Sequence, residues 1–372
     1  MINPRLHRYL ERLDPTQDYL IREFVDNYED GAMPRRDLVE RVYRMLGNTA
    51  AAAGVLLALG IKPAHADPLA SVNVRAQQQT GPRSPFSVPE GDPSVIAADV
   101  TFPARDGATI MAYLARPAAP GRFPAVLICH ENRGTGEHYR DVTRRFAKNG
   151  YVGLHLDLLS RQGGTDAVPA NERPAALSGP GTAERYVADF QAAIDYLSRQ
   201  PFVLADRIGM VGYCFGGGVT WNVLAREPRL RAAAPYYGTP AFAGEIRNTR
   251  AAVLGVYAER DERVNASIPM VEQELRAAGV PFRINIYPDA SHAFFNDTGG
   301  AYSEAAATAA WRDTLAWFAT YLRGAALPAT GDGSLAAEGA THGAAEGAVN
   351  EASEDAPAAA SAPSGTDVET EA

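Results

Sequence analysis

From residue 96 onward the chain alternates between short, wholly apolar runs and longer stretches with helical spacing. The runs are "FPAVLICH" (123–130), "YVGLHLDL" (151–158), "RIGMVGYC" (207–214), "RAAAPYYG" (231–238), "AAVLGVYA" (251–258) and "FRINIYPDA" (282–290). Runs that are apolar throughout suit strands buried on both faces of a parallel sheet. Between them the spacing predicts helices over 137–149, 183–199, 215–226, 267–278 and 301–323. Ahead of them, "VTFPA" and "TIMAYLARP" flank the turn pair Asp106-Gly107 and read as a hairpin. Alternating strand and helix predict an α/β domain with a mostly parallel central sheet flanked by helices. Its functional groups belong at the carboxyl ends of the strands.

The first 95 residues follow another pattern. Tyr9, Leu10 and Leu13, then Tyr19, Leu20, Phe24 and Val25, recur at helical spacing. The next stretch carries a twin arginine (Arg35, Arg36), an Ala/Leu-rich run from Thr49 to Ile61, and an A-x-A pattern at Ala64-His65-Ala66. Two readings stand side by side. One is a twin-arginine export signal, which leads to the periplasm. The other is an Ala-rich helix packed on the main domain of a cytoplasmic protein. The run is too short to span a bilayer, which needs about 20 apolar residues. The expected organisation is a helical extension or export signal at 1–66, a Gln/Pro/Ser/Gly-rich linker at 67–95, the α/β body at 96–325 and a tail at 326–372.

Charge sharpens the view of that tail. The chain of 372 residues has a net charge of −9, yet nine of its 44 acids lie beyond Arg323, where there is no Lys or Arg. Without them 35 acids face 35 bases, so the rest is formally neutral. No clustered basic surface points to nucleic acid. The tail is Ala, Gly, Ser, Thr and acid without an aromatic residue, a composition expected to be disordered. The two cysteines, Cys129 and Cys214, make neither a disulfide framework nor a metal cluster. No metal or cofactor is expected.

The chemistry centres on "GMVGYCFGGG" (209–218). Gly212-Tyr213-Cys214-Phe215-Gly216 is G-x-S-x-G with sulfur in place of oxygen. In that motif a sharp strand-to-helix turn holds a nucleophile exposed and strained. Cys214 is either the attacking group or a small apolar filler. A thiol needs a base and an orienting acid to attack, and hydrolases of this fold order them nucleophile, acid, His. Asp261, just past "AAVLGVYA", is the candidate acid. His292, in "YPDASHAFFND", is the one His between Cys214 and the tail. Each sits at a predicted strand end.

These segments, "GYCFGGG", "AERDERV" and "DASHAFFND", with "ICHENRG" and "VGLHLDLLSRQGG" upstream, resemble the dienelactone hydrolase (carboxymethylenebutenolidase) family over roughly residues 96–323. The resemblance implies an α/β-hydrolase fold, a Cys214-Asp261-His292 triad, and Glu131 as the carboxylate that contacts and activates the resting thiol. It further implies an oxyanion hole from the backbone N–H groups of Asn132 and Phe215. The substrate would be a small ester or lactone, cleaved through an acyl-cysteine. A peptidase, an acyltransferase or a noncatalytic binding protein on the same fold are the alternatives.

One position departs from the pattern. Dienelactone-specific members carry a carboxylate-gripping arginine four residues after the catalytic His, where this chain has Asn296. Arg173 or Arg185 is the candidate for the second such arginine, and Arg133 either touches substrate or caps its loop. Cys129 and Trp221 read as core, and His130 and His155 as structural.

Overall fold

β1 (Val95–Pro103) and β2 (Thr109–Pro117) form the expected hairpin, and Gly107 takes the positive φ of its turn. The structure is a computed structural model that describes residues 9–29, 33–61, 81–241 and 243–324. The tail (326–372), the processing-like Ala64-His65-Ala66 and the first part of the linker lie outside the described residues.

The apolar runs become β3 (Phe123–Cys129), β4 (Val152–Leu156), β5 (Val203–Tyr213), β6 (Leu230–Tyr236), β7 (Ala252–Ala258) and β8 (Phe282–Tyr287). One eight-stranded sheet results, in the order β1-β2-β4-β3-β5-β6-β7-β8. β2 is antiparallel to both neighbours, and β4, β3, β5, β6, β7 and β8 run parallel. The chain fills β4 on one side of β3 and then returns to place β5 on the other. That reversal opens a crevice beyond the carboxyl ends of β3 and β5, where open α/β sheets bind ligands. Residues of β3, β4 and β7 are buried almost without exception, as strands covered by helices on both faces must be.

Among the described residues, α1 (Pro15–Glu29), α2 (Arg35–Leu46) and α3 (Thr49–Ala58) precede the sheet. Leu20 and Phe24 of α1, Leu38 and Val42 of α2, and Val55 of α3 are buried in the same apolar core as the sheet. Asn48 caps α3 by accepting the N–H groups of Ala50 and Ala51. Polar contacts tie the extension to the body, among them Arg44 Nη1 to Glu172 (2.8 Å) and an ion pair of Arg263 with Asp26. The stretch read as linker is anchored in its second half, where the Val88 N–H donates to Asp141 (2.6 Å) and the Ser84 N–H to Asp297 (2.9 Å). Among the described residues no helix is long and apolar enough to cross a membrane.

Around the body run α4 (Glu137–Lys148), α5 (Arg173–Ala176), α6 (Thr182–Ser198), α7 (Phe215–Arg226), α8 (Glu262–Asn265), α9 (Ile268–Ala278) and α10 (Glu304–Arg323).

Candidate active site

β5 ends at Tyr213 and α7 begins at Phe215, so Cys214 is the whole of the turn between them. Its φ of 57° lies in the left-handed region, which costs a non-glycine residue free energy. The flanking glycines make the turn possible. A Cβ on Gly212 would sit 2.1 Å from the Gly216 carbonyl oxygen, and one on Gly216 would sit 2.5 Å from the Cys129 carbonyl oxygen. Any other residue at either position would push the turn off the sheet. The Cys214 N–H donates to Tyr236, and its carbonyl accepts from Gly217 and Gly218, which starts α7 directly beneath the sulfur.

His292 stands on the loop after β8. Its Nδ1–H donates to Oδ2 of Asp261 at 2.6 Å, while Oδ1 of Asp261 accepts the Val264 N–H and caps α8. Nε2 of His292 is buried without a partner. Burial works against charge on the ring, but the neighbouring Asp261 and Glu23 carboxylates prevail, and the imidazole pKa is raised. Burial likewise opposes ionisation of Asp261, yet His292 and Arg263 outweigh it and hold that carboxyl below its usual range. Ala293, next to the ring, also has a positive φ (62°), so strain sits beside both Cys214 and His292.

The His292 loop is fixed from below by a buried charge cluster that its sequence did not advertise. Asp297 accepts from His138 Nδ1 at 2.6 Å and from Arg145, which also pairs with Asp141. All four side chains are almost fully buried, and Asp297 is held far below the usual carboxylate range.

The thiol meets an unexpected partner. Cys214 Sγ–H donates to Oε2 of Glu23 at 3.2 Å, and the Tyr19 hydroxyl lies 3.8 Å from the sulfur. Both come from α1, four residues apart on one helical face. Glu131, expected at the sulfur, accepts instead from Asn296 Nδ2 (3.3 Å) and has Arg133 at 3.8 Å. The contact expected of Glu131 is thus made by Glu23: α1 occupies the space over the sulfur, and Asn296 engages Glu131. Burial, followed by the charges of Glu23 and Glu131, pushes the Cys214 thiol well above its ordinary pKa. That shift favours the thiol over the thiolate.

The other expected residues divide. Asn132 lines the same cavity as Cys214, its side-chain amide donating to Oε1 of Glu23, and the Phe215 N–H interacts with the sulfur. Asn296 and Arg133 line the cavity above Cys214, about 550 Å³ in volume, together with Arg41 of α2. Arg173 donates to the carbonyls of Val168 and Arg133, bracing the loop, and Arg185 packs over Tyr186. Neither lines that cavity. His130 and His155 are buried and bonded to backbone, Trp221 Nε1–H donates to Gly238, and Cys129 is core. Donor atoms of Glu23, Cys214 and His292 lie within 4.8 Å of one another.

Comparison with known proteins agrees with the geometry. The family model described as "Dienelactone hydrolase family" matches residues 110–322. A Salmonella typhi protein provisionally named carboxymethylenebutenolidase is 34% identical over 257 residues, which is 64% of this chain and 93% of that one. A Bradyrhizobium protein provisionally named 2-oxo-3-(5-oxofuran-2-ylidene)propanoate lactonase is 30% identical over 242 residues, covering 62% and 96%. A Klebsiella pneumoniae crystal structure provisionally titled dienelactone hydrolase superposes with a TM-score of 0.55 at 32% identity, over 61% of this chain and 99% of that one. With the elbow at Cys214, the His292–Asp261 pair and these matches together, the chain belongs to the dienelactone hydrolase family of carboxylic ester hydrolases.

Proposed function

We propose that the protein cleaves small esters or lactones through a Cys214-Asp261-His292 triad and an acyl-cysteine intermediate. The observation that carries this reading is the strained thiol at the strand–helix turn, with a half-buried, Asp261-oriented imidazole whose Nε2 is buried and unpartnered. On losing its proton the sulfur attacks the carbonyl carbon. The S–C bond forms, and the C=O electron pair moves onto the carbonyl oxygen. The N–H groups of Phe215 and Asn132 receive that oxyanion, a donor pair worth about 10²–10³ in rate per member. Collapse breaks the C–O bond, and the His292 imidazolium, held by Asp261, protonates the leaving oxygen. The neutral ring then takes a proton from water, hydroxide attacks the thioester, and the sulfur leaves.

Names of the relatives point the same way: one is named for a carboxymethylenebutenolide and one for a furanylidene propanoate lactone. A cavity of about 550 Å³ suits substrates of that size. Turnover of p-nitrophenyl acetate and a panel of lactones by the wild type and by Cys214→Ala tests the reading, with mass spectrometry for an acyl group on Cys214. Equal rates, or acyl transfer to an added amine in preference to water, would overturn it in favour of a binding protein or an acyltransferase.

A further inference from the structure

Glu23 lies outside the residues that match the family, 110–322, yet it is the carboxylate on the sulfur. We propose that Glu23 is a catalytic residue, the base through which the N-terminal extension deprotonates Cys214. The inference rests on the reading of Cys214 as nucleophile.

The geometry is that of a fixed acceptor. Oε1 is held by the Asn132 amide, which leaves Oε2 aimed at the thiol 3.2 Å away. Glu23 is only 5% exposed, in the middle of the face of α1 that also buries Leu20 and Phe24. A buried carboxylate is costly unless it is paired or used. The charged and titratable groups around it are His292 and Arg263, then Cys214 and Glu131 across the pocket, with Arg41 of α2, Arg133 and Tyr19 also in reach. A glutamine could accept from Asn132 equally well. What a carboxylate adds at this spot is a place for the proton. Burial raises the Glu23 pKa despite His292 and Arg263, which brings the acceptor nearer to the thiol it must deprotonate.

The proton balance closes. At rest the cluster holds a thiol, an ionised Glu23 and a protonated His292. In acylation the S–H bond breaks and an O–H bond forms on Glu23, while the S–C bond forms and His292 gives its proton to the departing oxygen. Glu23 keeps the thiol proton for the lifetime of the acyl-enzyme. In deacylation His292 removes a proton from water, and the expelled sulfur recovers its own from Glu23. The resting state is restored without an outside acid or base.

The test compares the full-length wild type, Glu23→Gln and Glu23→Asp on an aliphatic ester or lactone, whose leaving oxygen needs a proton. Expected for Glu23→Gln is a fall in kcat/KM of about 100-fold or more, with loss of the acid limb of the pH profile. Alkylation of Cys214 by iodoacetamide should meanwhile move to lower pH, because a negative charge beside the sulfur is gone. A residue that merely packs would not move that midpoint. Turnover within about threefold of wild type with an unchanged profile overturns the proposal. So does increased turnover, which would make α1 a blocking segment. Should Glu23→Gln fail to fold, Glu23→Asp carries the test: it should retain the acid limb and lose about tenfold, its carboxylate drawn one methylene from the sulfur. A wild-type rate there overturns the proposal. If Cys214→Ala instead keeps full activity, it is the acyl-cysteine reading that fails.

Discussion

Two regions meet at the Cys214 sulfur, and they are built differently. The α/β body brings its groups on short loops at strand ends: Cys214 after β5, Asp261 after β7, His292 after β8. Each loop is fixed by backbone strain or by a buried bond, as at Cys214 and at the Asp261–His292 pair. The extension brings Tyr19 and Glu23 on the side of a helix, held only by packing of α1 and α2 and a few polar ties. The body's site follows from its topology. The extension's contribution depends on how one helix docks.

The largest effect expected within the body is that of Asp261→Asn. The amide would hold His292 in the wrong tautomer and remove the charge that stabilises its imidazolium, and kcat should fall about 10²–10⁴-fold. A fall smaller than tenfold would mean that Glu23, from the extension, orients His292 as well as Asp261 does.

These two regions were unequally legible. Helices 137–148, 215–226 and 268–278 lie within a residue of their predicted spans, because apolar runs and helical spacing are local signals. The order Cys214, Asp261, His292 is likewise written along the chain. Glu23 carries no such motif. Its one signal was a charged residue on the apolar stripe of Leu20 and Phe24, which reads as a helix face until the sulfur is seen beside it. Asp297 was hidden for a related reason. Its partners Arg145 and His138, and Asp141 on the far side of Arg145, are far away in sequence, and only folding brings them under the His292 loop.

Loosening the docking of α1 separates the regions next. Phe24 is 1% exposed, and Phe24→Ala should cost about 3–5 kcal/mol, measured by denaturant unfolding. Because Phe24 adjoins Glu23, kcat/KM should fall with it even where the protein is fully folded. Lost stability with unchanged kcat/KM would show that the body works without a seated α1.

The pH profile gives a finer comparison. His292 has a raised pKa, so its imidazolium persists to higher pH than that of an ordinary histidine. If the leaving oxygen needs that proton, the alkaline limb of kcat/KM for a lactone lies above the usual imidazole range, about 6.5. Removing a carboxylate that raises it must shift the limb down. Asp261→Asn and Glu23→Gln should both do so, the first by more, since Asp261 touches the ring and contributes more to the shift. A limb that stays in place in both variants would belong to another group.

The smallest expected effect concerns Asn296, at the position where the family resemblance leads one to expect a carboxylate-gripping arginine. A carboxylate entering the cavity there meets an amide already engaged with Glu131 and Thr298 instead of a guanidinium. A hydrogen bond to a charged group is worth about 1.5–3 kcal/mol, or one to two decades in kcat/KM. The wild type should therefore favour neutral lactones over matched anionic ones. Asn296→Arg should shift that preference toward the anion, but only by about tenfold, because Glu131 would compete for the new guanidinium as Asn296 now engages it. Four rate constants, two substrates on two proteins, decide it. Strong preference of the wild type for the anionic lactone would locate the clamp elsewhere in the same cavity. Arg133 of the body and Arg41 of the extension both line it. Arg133→Gln and Arg41→Gln would then show which of the two regions reads the substrate's charge.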